Sequence, residues 1–339
     1  MIASDYTTLI TNNKTISWQQ QLTQSKVDPK KLLKYLNLDI KLLPQIITSS
    51  KSFALRTPLA FISRIKKGNI NDPLLKQILP TTEELAINEG FSFDPLAEKD
   101  YSPTSGLIHK YQGRVLLITT SACAVNCRYC FRRYFPYSDH RTAKNQREQI
   151  LTYLRSHSSI KEVILSGGDP LIASDNYLED LIKDLETINN ISTLRIHTRL
   201  PIMIPDRITS KLLSIITNSR FKVVIVIHCN HAQEIDENVQ QALLLLKNAG
   251  VTLLNQAVLL RGVNDSSEAL YDLSEKLFVN AVLPYYLHLL DLVHGTKHFE
   301  VKEQQAISIV KQLANIAPGY LVPKLVKEIP GEKCKTKVF

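Results

Sequence analysis

From about residue 114 onward the chain alternates short β-branched runs with amphipathic runs of helical period, and the alternation repeats six times. The pattern predicts strands over 114–122, 162–166, 193–198, 222–229, 252–260 and 281–290. Between and after them it predicts helices over 144–157, 176–188, 206–217, 236–248, 267–278 and 302–316. Gly250 stands just past the fourth helix, where a left-handed cap residue is expected. Strands joined through helices in this way lie parallel, with right-handed crossovers. The expected fold class is therefore α/β, built either as an open doubly wound sheet or as a curved partial barrel. Residues 1–105 read differently, with helical segments over 16–25, 29–36, 73–77 and 82–88 separated by prolines, and no clear strand. This divides the chain into a helical N-terminal region (1–105), a βα body (106–320) and a C-terminal segment (321–339).

A chain of 339 residues with 44% hydrophobic content can bury a large core, as one α/β domain or as two smaller ones. The first thirty residues are polar, and the longest apolar run, near 222–229, is far too short to span a bilayer. A soluble, cytoplasmic protein without membrane contact is the expectation. Forty-one Lys and Arg against thirty-two Asp and Glu give a formal charge of +9. The basic residues are spread along the chain, enriched over 128–141 and 324–337, which reads mainly as a solvated basic surface rather than a nucleic-acid footprint. Five cysteines, three of them within eight residues, favour metal or redox chemistry over a secreted disulfide framework.

In parallel α/β folds the reactive residues gather beyond the carboxyl ends of the strands. The unusual residues of this chain fall there: Cys123 to Cys130 after the first strand, Ser166-Gly167-Gly168-Asp169 after the second and His197-Thr198-Arg199 after the third. His228-Cys229-Asn230-His231 closes the fourth strand, Asn255-Gln256 lies within the fifth, and Asp291 ends the sixth. Packing alone does not account for six such placements on one edge.

The segment CAVNCRYC carries thiols at Cys123, Cys127 and Cys130 in one loop. Soft thiolates suit zinc or an iron–sulfur cluster, and ligand count separates the two. A structural zinc site needs four protein ligands, so a fourth must come from Cys229, Cys334 or a histidine. Three thiolates on a four-iron cube instead leave one iron open to a small molecule.

This spacing, with Tyr129 just before the last cysteine, resembles the radical S-adenosylmethionine superfamily. The resemblance implies a partial (β/α)6 barrel and a [4Fe-4S] cluster on Cys123, Cys127 and Cys130, whose open iron chelates S-adenosylmethionine so that an injected electron yields a 5′-deoxyadenosyl radical. It places Gly167, Gly168, Asp169 and His228 beside S-adenosylmethionine. Taken alone, a Gly-Gly-Asp turn is usually just a βα loop, and a histidine at a strand end is often a packing residue. From about Tyr101 to Thr336 the chain further resembles the lysine 2,3-aminomutases, in HKYQGRVLLITTSACAVNCRYCFRR, LSGGDPL, NQAVLLRGVND, LPYYLHLLDLVHGTKHF and PGEKCKT. Its short length and its ISWQQQL segment look most like the branch that supplies β-lysine for modification of elongation factor P.

Moving an amino group between adjacent carbons needs an abstractable hydrogen, an electron sink for the migrating nitrogen and a clamp on both ends of the substrate. Pyridoxal phosphate can serve as the sink, and it requires a lysine that holds it covalently. The resemblance assigns that lysine to Lys335 in the C-terminal segment, where composition alone reads a frayed basic tail. It assigns phosphate recognition to Lys110, Tyr111, Arg114 and Gln256, and the substrate carboxylate to Arg132, whose planar fork suits it. It sets Asp291 and Glu328 against the ε-ammonium of L-lysine, an arrangement that repels an acidic side chain. It further implies an electron donor of flavodoxin or ferredoxin type and a functional link to elongation factor P and its lysyl ligase. The competing readings are a catabolic or biosynthetic lysine 2,3-aminomutase, an aminomutase for another amino acid such as glutamate, and a non-enzymatic zinc-structural or RNA-binding protein.

Overall fold

A computed structural model describes residues 16–136 and 144–339, with side chains from residue 146 in the second span. The first fifteen residues of the N-terminal region and the 137–141 part of the basic stretch lie outside the described residues. Short helices make up the N-terminal region: α1 (Trp18–Thr23), α2 (Pro29–Tyr35), α3 (Leu43–Ser50), α4 (Leu59–Ile62) and α5 (Pro73–Lys76). Local chemistry starts several of them. Ser17 and Gln20 form a reciprocal capping box on α1, while Asp28 before Pro29 and Asp72 before Pro73 accept backbone N–H groups at the starts of α2 and α5. Stretch 82–88 is only a short 3₁₀ turn, Thr82–Leu85, because Ala86 leaves the helical region of backbone space. Helices α3 and α4, which begin beside Pro44 and Pro58, escape a reading that treats proline only as a separator.

Among the described residues nine strands form one sheet in sequence order: β1 (Leu107–Tyr111), β2 (Arg114–Thr120), β3 (Glu162–Gly167), β4 (Thr193–Thr198), β5 (Lys222–His228), β6 (Thr252–Val258), β7 (Leu283–His288), β8 (Lys324–Lys327) and β9 (Thr336–Lys337). Pairing from β2 through β8 is parallel. The connections carry α6 (Lys144–Ser156), α7 (Asp175–Glu186), α8 (Leu200–Met203), α9 (Ser210–Thr217), α10 (Glu237–Asn248), α11 (Ser267–Val279) and α12 (Glu303–Ile316). The six βα units and the α/β class are therefore as the alternation predicts. Burial of nearly all of β3 explains its unbroken apolar run, since a parallel strand is covered on both faces.

The edges of the sheet depart from the expectation. Strand β1 is antiparallel to β2, with Tyr111 opposite Arg114 and Gly113 at φ +77° in the turn between them. The last strand pair, β8 with antiparallel β9, belongs to the sheet rather than to a tail. Both were hidden by shortness and by lysines that read as solvated. Predicted helix 206–217 begins instead at Ser210, because Pro205–Arg207 forms a separate 3₁₀ turn and Thr209 caps the helix. The predicted strand ends 122, 229, 260 and 290 overrun the ladders, which stop at Thr120, His228, Val258 and His288 where the chain turns into the loops of the site.

Trp18, Leu32 and Phe61 share one hydrophobic cluster with barrel residues such as Leu165 and Ile225, so the N-terminal helices are packed on the βα body. Residues from β1 through β7, with Glu328 just past β8, line a single cavity, which requires the sheet to curl around it. Among the described residues no ladder joins β1 to β9, so the barrel is partial. Side chains bridge the gap: Glu328, one residue past β8, accepts from Lys110 Nζ of β1 at 2.8 Å and from Lys335 Nζ, one residue before β9, at 2.6 Å. No described helix is long and apolar enough to cross a membrane.

Candidate active site

The cavity has a volume of about 370 Å³ and runs from the carboxyl edge of the strands, where the sequence places the unusual residues, into the barrel as far as Arg114 at the amino end of β2. Cys123, Cys127 and Cys130 line it, as do Gly167, Gly168, Asp169, His228, Gln256, Lys110, Tyr111, Arg114, Arg132, Asp291, Glu328 and Lys335. The whole predicted set is thus gathered into one space from positions up to 225 residues apart, 335 − 110.

The cysteine loop is held from outside the barrel. Arg128 is fully buried, forks onto both oxygens of the equally buried Glu84, and donates to the Phe53 carbonyl at 2.8 Å. Arg133 reaches the same carboxylate at 2.8 Å, and the backbone N–H groups of Asn126 and Arg128 donate to the carbonyls of Arg56 and Gln77. The segments between and after the N-terminal helices therefore act as the mould of the loop. This corrects the reading of the 128–141 stretch as solvated surface for Arg128 and Arg133, which Glu84 of the N-terminal region draws inward.

Burial pushes the Cys123 thiol well up and the Cys130 thiol up to about 12, with the neighbouring cysteines adding to both shifts. Thiols in such a site give up their protons to metal rather than to water. Among the described residues no group of three His, Cys, Asp or Glu converges as it would on a single ion. Three thiols around a four-iron cube need no such convergence, so the donor set fits a cluster better than mononuclear zinc.

Glycine is needed at 167 and 168 for a reason the sequence did not disclose. A Cβ on Gly168 would stand 2.1 Å from the Ala122 carbonyl oxygen, and one on Gly167, at φ +110°, would stand 2.6 Å from that of Thr120. The close approach is thus between this turn and the start of the cysteine loop, sealed by Gly168 N–H to Thr120 O and Asp169 N–H to Ala122 O, both 2.8 Å. Asp169 is buried, with Oδ1 accepting from the Thr198 hydroxyl at 2.6 Å and Oδ2 from the Arg199 N–H at 2.7 Å. Its carboxylate ties the end of β3 to that of β4, while its backbone N–H ties both to the loop after β2.

On the far side, Arg132 forks onto Glu98 at 2.8 and 2.6 Å and donates to Ser166 Oγ at 3.1 Å. Gln256 Nε2 lies 2.8 Å from His228 Nε2. Burial pushes His228 down to about 3, helped by Arg199 and Arg132, so the neutral ring accepts from Gln256. Burial alone would raise the Glu328 carboxyl, but Lys335 and Lys110 outweigh it and hold it well below the usual range. Burial, with Glu328 adding to it, instead pushes Asp291 up to about 7. Of the three lysines near the terminus, Lys335 is turned inward at 21% side-chain exposure, while Lys333 and Lys337 are exposed.

Sequence reasoning missed Glu98, Gln77 and Glu84, which come from the helical N-terminal region, and His288 as a cavity wall, and it gave Ser166 no role beyond its place at a strand end. His197 and Arg199 were marked by their place at a strand end, which was the signal available, but were given no role.

The radical SAM superfamily pattern matches residues 117–274. The L-lysine 2,3-aminomutase of Escherichia coli is 49% identical over 94% of this chain and 93% of its own length, and that of Haemophilus influenzae is 48% identical over 94% and 95%. The L-lysine 2,3-aminomutase of Clostridium subterminale is 36% identical over 95% of this chain but 77% of its own longer one. The barrel with its three-thiol loop thus defines a radical SAM enzyme, and membership of that superfamily implies a [4Fe-4S] cluster and S-adenosylmethionine. More narrowly, the chain belongs to the lysine 2,3-aminomutase family of isomerases.

Proposed function

We propose that this enzyme converts L-α-lysine to (R)-β-lysine with pyridoxal phosphate held on Lys335, and that the product serves the modification of elongation factor P through its lysyl ligase. The observation that carries the reading is the inward turn of Lys335 into the cavity that also holds Cys123, Cys127 and Cys130. Pyridoxal phosphate, when bound, supplies the electron sink for the migrating nitrogen. Lys110, Tyr111 and Arg114 lie together on the β1–β2 hairpin and suit a phosphate, with Gln256 across the cavity. His197 Nε2 and His288 Nε2 have no hydrogen-bond partner among the described residues and belong to side chains on the cavity wall, which leaves polar groups for a bound cofactor to meet.

Cys123, Cys127 and Cys130 would hold the cluster, with Gly167, Gly168, Asp169 and His228 shaping the wall on the S-adenosylmethionine side. Arg132, forked onto Glu98 and donating through Nη1 to Ser166 Oγ, lines the cavity and is the cation there that would attract a substrate carboxylate. Asp291 and Glu328 favour the ε-ammonium and disfavour glutamate. Near-complete coverage of the short relatives accords with the elongation factor P branch rather than with the longer Clostridium protein. A flavodoxin or ferredoxin type donor, in a cytoplasmic setting, would supply the electron.

The test is anaerobic incubation with dithionite, S-adenosylmethionine, pyridoxal phosphate and lysine or glutamate, with chiral identification of the product and borohydride trapping of the cofactor. (R)-β-lysine and a label on Lys335 are expected. Equal turnover of glutamate, or a label on Lys333 or Lys337, overturns the assignment.

A further inference from the structure

Among the described residues, Cys127 is the thiol of the three that accepts a hydrogen bond from a cation. Arg199 Nη1 donates to Cys127 Sγ at 2.8 Å and to the Tyr129 hydroxyl at 2.7 Å. Its other terminal nitrogen donates to Gln77 Oε1 at 2.7 Å and to Glu234 Oε2 at 2.9 Å. Asn230 Nδ2 completes the group, donating to Tyr129 Oη at 2.7 Å and to Gln77 Oε1 at 3.0 Å. Arg199 is 5% exposed, while Gln77 and Glu234 are wholly inaccessible. Phe61 and Tyr129 flank the guanidinium, their ring centroids 5.6 and 5.7 Å away. The network draws on the N-terminal region, the cysteine loop and the loops after β4 and β5, so it is built by the tertiary fold.

We propose that Arg199 is a positioning residue for the iron–sulfur centre, and that the Arg199–Glu234 pair sets how readily that centre accepts an electron. The proposal rests on the assignment of Cys127 as an iron ligand. Adding an electron to a cluster places negative charge partly on its sulfurs, and a donor to a ligand sulfur stabilises that reduced form more than the oxidised one. Water is excluded, so the charge of Arg199 is little screened. Glu234 lies on the opposite side of the guanidinium and offsets part of its field. Loss of Arg199 and loss of the Glu234 charge must therefore move the cluster in opposite directions. A merely structural role predicts no such opposition.

The experiment compares the anaerobically reconstituted full chain with Arg199→Gln, Arg199→Lys and Glu234→Gln, measuring iron content and the midpoint of the cluster by potentiometric titration read by electron paramagnetic resonance. Wild type should carry about four irons. Arg199→Gln should disfavour reduction about tenfold, a shift of about 59 mV to more negative potential for one electron. Arg199→Lys should fall between it and wild type, and Glu234→Gln should shift the midpoint positive. Iron-replete Arg199→Gln with the wild-type midpoint overturns the proposal. If that variant retains no iron, the decision passes to Arg199→Lys and Glu234→Gln, and wild-type midpoints in both overturn it equally. A wild-type chain without a four-iron cluster instead sinks the ligand assignment beneath it.

Discussion

At the residue scale the two acids facing the substrate space are shifted in opposite directions. Glu328 is paired with two lysines and stays charged, whereas Asp291 is pushed up to about 7 by burial and then by Glu328. A carboxyl must lose its proton to hold an ammonium ion, so lysine binding should tighten as pH rises from 6 to 8. One unit below that value only about a tenth of the sites are ionised, and kcat/KM reports this free-enzyme ionisation. Asp291→Asn should flatten that limb of the kcat/KM profile and lower lysine turnover at least about tenfold, equivalent to roughly 1.4 kcal/mol of lost positioning. Uncoupled cleavage of S-adenosylmethionine by dithionite should persist, and an unchanged pH profile in the variant would remove Asp291 from the clamp. For stability the sign is reversed. The folded carboxyl keeps its proton to higher pH than the 3.8 of an ordinary Asp, so its contribution is full below that value and is lost as pH rises through about 7.

At the scale of elements, the N-terminal helices and the cysteine loop form one unit through Glu84. That carboxylate is wholly buried between Arg128 and Arg133, and removing it strands two cations away from water. Breaking a buried pair from one side costs about 3–5 kcal/mol. Glu84→Gln should therefore lower stability by that amount in chemical denaturation and weaken iron retention. Exposed Glu83, one residue away, supplies the control, and Glu83→Gln should stay within about 0.5 kcal/mol of wild type. Equal stability of the two variants would show that the mould is not needed.

For the whole molecule the question is how an open sheet keeps its two edges beside one cavity. The Lys110–Glu328 pair spans that gap in place of a ladder, and Lys335 holds Glu328 from within its own edge. Without substrate, Glu328→Gln should speed amide exchange in Leu107–Tyr111, Lys324–Lys327 and Thr336–Lys337 while leaving the central strands β3 to β6 protected. Unaltered protection at both edges would show that packing alone closes the barrel.

The sequence by itself determined the six βα units, the edge on which the site lies and the thiol loop, because these rest on local periodicity and on a contiguous motif. It also marked Lys335, Asp291 and Arg132, through short segments that keep their spacing. The tertiary structure alone decided which charges meet. Nothing local distinguishes Glu84, Glu98 or Gln77 from solvated residues of a helical region, and Arg128 pairs with an acid 44 positions away. The strands at the two edges escaped for a related reason: four residues of β8 and two of β9 carry too little pattern to be read until a neighbouring strand supplies their hydrogen bonds. Gly168 shows the same limit, since the requirement for glycine there comes from a carbonyl of Ala122 that only the folded chain brings within reach.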